Sequence, residues 1–225
     1  ALGYEFGREG TADVFAGWVW YKTREDIGED LGGYGLHAPF VGASLSVDTL
    51  DNVNFPRRGV NFTVDVRRLF HESESGSVTG NLTDTVWETS LNVPAAFDKN
   101  WSGLLSARLG EATIPGYFRL GGAFNLTGTP EGRFTGDRIA VGRLMLMRKI
   151  FPGLAEAGIA AYAGVTYEAG RAFNHTSGFS NHKSDWHHAN ALFVGADTWV
   201  GPMYLMLGRT YGVGDSLMFY WGRLH

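Results

Sequence analysis

Apolar and polar residues alternate with a period of two along most of the chain, the spacing at which a β-strand sends successive side chains to opposite faces. In VNFTVDVR, Val60, Phe62, Val64 and Val66 fall on one face and Asn61, Thr63, Asp65 and Arg67 on the other. VGASLSVD sets Val41, Ala43, Leu45 and Val47 against Gly42, Ser44, Ser46 and Asp48. TVWETSLNV sets Trp87, Leu91 and Val93 against Glu88, Ser90 and Asn92. Further on, Ile159, Val165 and Tyr167 oppose Gly158, Gly164, Thr166 and Glu168, and Leu217, Phe219 and Trp221 share one face of SLMFYW. RLMLMRK, at 143–149, gives no assignable faces. The pattern predicts strands over 1–7, 12–26, 35–50, 59–72, 84–97, 101–120, 137–150, 155–173, 190–199, 202–211 and 215–224, with no helical period between them. Turns join most neighbours, which predicts antiparallel pairing.

The connections add a second pattern. In order they read REGT, DIGEDLGGY, DNVNFPRRG, HESESGSVTGNLT, DKN, GGAFNLTGTPEGRFTGD, FPGL, NHTSGFSNHKSDWHHAN, VG and GVGD. Short and long largely alternate, as in outer-membrane barrels with short periplasmic turns and longer external loops. The last strand then runs inward and leaves His225 at the periplasmic face, while Ala1 falls at the outer rim. Bacterial single-chain barrels have an even number of strands, so eleven with an external start predict at least one strand upstream. The alternative is a ten-stranded barrel in which residues 1–11 are a lead-in. The polar faces would carry Asp48, Asp65, Arg67, Glu88, Arg108 and Glu168 into the interior, which leaves open a wet or a plugged lumen.

Composition separates an all-β chain in water from one in lipid only in part. The 225 residues carry a net charge of −4 with an isoelectric point near 6.0, no nucleic-acid footprint. There is no cysteine, which excludes a disulfide framework and a thiolate metal site. Glycine is abundant (32 residues), as are aromatics (7 Trp, 9 Tyr, 15 Phe), although mean hydropathy is only −0.11. No apolar run approaches the ~20 residues of a spanning helix. The first residues show neither Met nor a signal-peptide pattern, so a processed chain or a fragment is expected. Trp101, Trp199, Tyr204 and Trp221 near strand ends suit the aromatic girdles of a membrane barrel.

Candidate chemistry changes this picture little. The glycine-rich stretch at 121–137 lacks the lysine and the following helix of a phosphate loop. GDSL at 214–217 and DWHH at 185–188 match the nucleophile and Asp-x-x-His blocks of a hydrolase family, in reversed order and without its helices. Ser216 would be the nucleophile of a membrane esterase, but a Ser–His–Asp set requires contact among the three groups. Gly-Asp between two strands is also an ordinary hairpin signal. His182, His187, His188 and Asp185 share one polar loop and have the chemistry of a zinc or nickel site, but a solvated external loop is the simpler reading and no metal site is expected. No G-x-S-x-G lipase elbow occurs.

SVDTLDNVNFPRRG, at 46–59, resembles the D-x-L-D-x-x-x-F-P-x-R-G signature of the bacterial surface-antigen superfamily, which includes the outer-membrane insertases. FRLGGAFNLTGTPEGRFTGDRIAVGRL, at 118–144, is similar to that superfamily's strand, long inward-folded loop and next strand. AGVTYEAGRAF and VGADTWVGPMYLMLGRTYG followed by SLMFYWGR look like its last four strands. The wording LGG-x-F-N-L-T-G is closest to patatin-like phospholipase (type Vd) autotransporters. The likeness runs from about residue 33 onward.

The resemblance implies an all-β antiparallel transmembrane barrel of about 11 strands, the C-terminal part of a 16-stranded one, with residues 1–225 as a single outer-membrane domain. Residues 123–137 would fold inward. It implies a periplasmic turn motif of Asp51, Phe55, Pro56, Arg58 and Gly59. It also implies a loop tip at Leu126, Thr127, Gly128 and Thr129, where the superfamily carries Val-Arg-Gly-aromatic. The tip arginine is absent, so Glu168 is expected to pair with Arg133 or Arg143 instead. The implied function is translocation or anchoring of an upstream passenger, with any patatin lipase upstream and no cofactor. Implied partners are outer-membrane lipids, the outer-membrane assembly machinery, and further barrel strands or a second copy; no nucleic acid is implied. A passive small-solute channel of 10–12 strands is the alternative, and the membrane esterase a third.

Overall fold

A computed structural model describes residues 1–22, 35–75, 78–154, 159–174 and 185–223. These residues form thirteen strands and no helix. They are β1 (Leu2–Phe6), β2 (Gly10–Lys22), β3 (Gly35–Asp48), β4 (Asn61–Ser75), β5 (Val78–Ala96), β6 (Trp101–Ala112), β7 (Phe118–Leu120), β8 (Phe134–Gly136), β9 (Arg138–Leu154), β10 (Ile159–Phe173), β11 (His187–Thr198), β12 (Gly201–Thr210) and β13 (Gly214–Trp221). Eleven make one antiparallel sheet in the order β1-β2-β3-β4-β5-β6-β9-β10-β11-β12-β13, and β7 pairs with β8 in a separate ribbon. Apart from the β7–β8 ribbon, each strand of the large sheet pairs with the strand next to it in the chain. Among the described residues the sheet is open, with β1 and β13 as its edges.

Three expected boundaries move. The strand expected over 101–120 ends at Ala112; a turn follows, and Phe118–Leu120 leaves the sheet to pair with Phe134–Gly136. The external loop expected at HESESGSVTGNLT is mostly strand, since β4 runs to Ser75 and β5 starts at Val78 with Glu74 paired to Thr79. The turn expected at FPGL belongs to β9, which reaches Leu154. In the last two places backbone pairing continues where side-chain alternation has faded, and only the alternation is visible in sequence.

Strand register gathers the alternating apolar positions into rows. Leu146, Val165, Leu192, Leu207 and Leu217 are successive cross-strand partners on β9 to β13, and all five are exposed. Leu2, Val14, Ala43, Val66 and Trp87 form a corresponding row on β1 to β5. Each strand of the large sheet contributes to this one apolar face, and Leu192 and Leu207 are 60% and 57% exposed.

The opposite face divides in two. On β3 to β6 it is polar: Asp65 bonds Arg67 (2.7 Å), Glu88 bonds Arg108 (2.6 Å), and Thr63 meets Ser90 (2.7 Å). On β9 to β12 it is an apolar core of Met145, Met147, Tyr162, Phe193, Tyr204 and Met206, joined by Phe55 and Phe124 from two loops. This explains the RLMLMRK segment. Arg143, Met145 and Met147 point into the core while Leu144, Leu146 and Arg148 are exposed, so both faces are rich in apolar residues and the alternation cancels. Trp101, Trp199 and Trp221 are exposed near strand ends, as expected of girdle residues. Tyr204 is not; it is buried on the opposite face, tilted against Phe55 and edge-on to Phe124 and Phe193.

The turn between β3 and β4 folds over that core. Asp51 Oδ1 accepts the Arg57 and Arg58 N–H groups (2.8 and 3.1 Å), and Asn52 Oδ1 accepts those of Asn54 and Phe55 (both 2.8 Å). Gly59 has a φ of +98°, and a Cβ there would lie 2.1 Å from Thr49 O, so the position requires glycine. So fixed, the turn carries Phe55 onto Tyr162, the rings stacked with centroids 4.0 Å apart. Asn54 Nδ2 donates to Asp197 Oδ1 (2.8 Å), and Tyr204 Oη donates to Asn54 O (3.3 Å). Pro56 is buried beside Phe55, and Arg58 is exposed. Arg57 donates to Lys99 O (2.7 Å) and to Asp98 O in the β5–β6 turn. A turn on β3–β4 that touches β10, β11 and β12 requires the sheet to curl toward its polar face, leaving the apolar face outside.

Candidate functional site

The residues singled out at 123–137 lie in the connection between β6 and β9, and the structure turns that connection inward. The β7–β8 ribbon forms its neck. Leu120 and Phe118 of the neck are buried, the latter against Gly110, where a Cβ would lie 2.5 Å from the Phe118 ring. Gly136 lies equally close to the Phe173 backbone on β10. Beyond the neck the chain closes on itself: Gly122 N–H donates to Thr129 O (2.9 Å), Asn125 N–H to Gly122 O (3.2 Å), and Thr129 N–H to Leu126 O (3.0 Å).

The tip is strained and buried. Phe124 and Leu126 have φ of +59° and +70°. Each such non-glycine residue costs about 1–2 kcal/mol. Burial offsets that cost, since fully burying a Leu or Phe side chain contributes about 1.5–3 kcal/mol. Leu126 is fully enclosed, and Phe124 packs edge-on against Phe193, Tyr204 and Tyr220.

Glu168, 0% exposed on β10, receives the tip. Its Oε2 accepts the Thr127 N–H (2.7 Å), and its Oε1 accepts the hydroxyls of Thr127 and Thr166 (2.9 Å each). Thr127 Oγ1 in turn accepts the Phe124 N–H (2.9 Å). Gly128 lies against β12, where a Cβ would be 2.5 Å from Thr210 N; its φ is +115°. Thr129 donates to the Thr210 hydroxyl (2.9 Å).

The expected partner of Glu168 is therefore corrected. Arg133 is exposed on the loop and makes no ion pair with Glu168. Arg143 is the direct cross-strand neighbour of Glu168, but its Nη1 donates to Phe124 O (3.0 Å) and its Nη2 to Ser106 Oγ (3.1 Å). Its charge acts on Glu168 through space while its guanidinium lies over the Phe124 ring, 5.3 Å from the centroid. A threonine with its own backbone N–H thus occupies the carboxylate, and the wall arginine clamps the loop from the side. Sequence reasoning pointed to Thr127, Arg143 and Glu168 but missed Ser106, Phe124 and Thr210. Nothing in residue spacing signals a backbone N–H as the partner of a carboxylate.

The other candidate residues do not converge. His187 stacks on Phe134 (3.9 Å between centroids) and His188 Nδ1 meets Tyr167 Oη (2.8 Å), so the two imidazoles have different neighbours. His182 lies outside the described residues, and among those described no three His, Asp or Glu side chains could hold a metal ion. Ser216 pairs with Gly208, which pairs with Ala191, four residues along β11 from His187; its Oγ has no hydrogen-bond partner among the described residues. Comparison with protein families and with curated proteins returns no match for this chain.

Proposed function

We propose that the chain is the wall and inward plug of a bacterial outer-membrane β-barrel. On this reading it belongs with the surface-antigen superfamily, nearest the patatin-like type Vd autotransporters, and holds or exports an upstream passenger. The observation that carries the proposal is the exposed apolar face, to which every strand of the eleven-stranded sheet contributes. In water a surface of that extent drives association; in a bilayer it is the surface that lipid requires. The interior of such a wall is polar or filled by its own loops, and the concave side here is both. A membrane-embedded sheet cannot leave edges unpaired, so β1 and β13 call for further strands, from this protein or a second copy. The end bearing the β3–β4, β5–β6 and β11–β12 turns would face the periplasm, and the β7–β8 loop would enter from outside.

The test is fractionation of cells expressing the complete gene, with protease added outside. The proposal expects the protein in outer membranes after alkaline washing, and surface display of the upstream segment that fails when this chain is truncated. Recovery in the soluble fraction sinks the membrane reading; display that persists without the chain sinks the translocator role. The polar half of the concave face favours a second reading, a passive small-solute channel. Deleting Thr127–Thr135 separates the two. A plug that gates a translocator gives raised conductance or lowered barrel stability on deletion. Steady conductance unaffected by the deletion, with no passenger encoded, favours the channel.

A further inference from the structure

A cavity of about 200 Å³ lies between the inward loop and the wall. Arg143 and Arg108 line it with Asn92, Ser106, Asn125 and Tyr220, and no aspartate or glutamate is among its lining residues. Two polar atoms on its wall have no hydrogen-bond partner among the described residues: Nε of Arg143, which is 3% exposed, and Oδ1 of Asn92, which is 7% exposed. Both are buried groups of the kind that folded proteins almost always satisfy.

The electrostatics give the missing partner a sign. Both terminal nitrogens of Arg143 donate to neutral oxygens, Phe124 O and Ser106 Oγ. Glu168, its cross-strand neighbour, is occupied by Thr127 and Thr166. Arg108 keeps Glu88 as its own partner (2.6 Å). A guanidinium buried without a carboxylate contact attracts an anion far more strongly than it would in water.

The donors come from neighbouring strands: Asn92 pairs with Ser106, which pairs with Arg143, and all three line the cavity. Ser106 Oγ accepts from Arg143, so its own O–H is free to donate into the cavity. The Asn92 amide meets Asn61 at 3.4 Å; turning both amides over keeps that bond and presents the Asn92 NH₂ to the cavity.

We propose that this cavity binds a small inorganic anion such as chloride, held by Arg143 Nε–H, the Ser106 hydroxyl and the Asn92 amide. Because Arg143 also clamps Phe124 O, the bound anion reinforces the seated loop.

The experiment uses the folded full-length protein in detergent, with chloride exchanged for gluconate at constant ionic strength. The thermal midpoint should rise with chloride and saturate. Asn92→Asp adds a carboxylate to the cavity that Arg143 lines, and its midpoint should be independent of chloride. If that variant does not fold, Asn92→Leu removes one donor and should lose the chloride response while keeping the heat-modifiable form. Crystals soaked in bromide should give an anomalous peak within hydrogen-bond distance of Arg143 Nε. The proposal is overturned by equal midpoints in chloride and gluconate, by a chloride response that survives both substitutions, or by a bromide-soaked cavity holding water alone.

Discussion

Replacing Glu168 by alanine removes the acceptor of three hydrogen bonds at the loop tip, those from Thr127 N, Thr127 Oγ1 and Thr166 Oγ1. The two hydroxyls can rotate to other acceptors, but the Thr127 N–H cannot move without the backbone. A buried donor left unmade costs about 1–3 kcal/mol, and the bond lost here is to a charged group. Arg143 also loses the negative charge beside it. The seated loop should therefore lose about 3 kcal/mol, roughly a hundredfold in its opening equilibrium. Glu168→Gln keeps an oxygen for the Thr127 N–H and should cost less. Thr127→Val keeps the backbone bond and deprives Phe124 N–H of its acceptor, for about 1–2 kcal/mol. Hydrogen exchange of the Thr127, Phe124 and Thr129 amides reads this directly, with the β9 amides of Leu144–Met147 as an internal reference. Glu168→Ala should accelerate the loop amides while the β9 amides stay slow. Wild-type exchange at Thr127, or equal acceleration everywhere, would show that Glu168 does not hold the loop.

Phe55→Ala should destabilise the fold by about 3–5 kcal/mol, because the ring is buried between Tyr162 and Tyr204. A urea midpoint within error of wild type would contradict the packing of the β3–β4 turn. At the β5–β6 turn, the N–H groups of Trp101 and Asn100 hold the Asp98 carboxyl below its ordinary 3.8. Its folded value is depressed, so its contribution is complete above 3.8 and is lost as pH falls through that lower folded value. Asp98→Asn should remove this acid-limb sensitivity from the unfolding midpoint; a curve parallel to wild type between about pH 5 and pH 2 would refute it.

The outward face was legible because period two leaves no choice: once Val64 and Val66 share a face, so do their partners on β3 and β5. The inward face was legible only where it is polar, at Asp65, Glu88 and Arg108. Under the loop, Met145 and Met147 are buried by residues from the same chain more than twenty positions away, and local pattern carries no trace of that cover. Tyr204 resembled a girdle residue for the same reason: an aromatic near a strand end has two faces to choose from, and a distant Phe55 decided it. The inward course of the loop was an expectation drawn from residues 118–144, with its tip at 126–129. The bonds that seat it were not, since they come from a backbone N–H and from the close approach of Gly128 to β12.

Because the chain has no cysteine, single cysteines can be introduced and spin-labelled one at a time. Collision with oxygen, which concentrates in lipid, is then compared with collision with a water-soluble nickel complex, in protein reconstituted into bilayers. Labels at Val165, Leu192 and Leu207 should favour oxygen, and labels at Ser44 and Asp65, on the opposite face, should favour nickel. Outward labels that meet nickel as readily as the inward ones do would contradict a membrane-facing sheet.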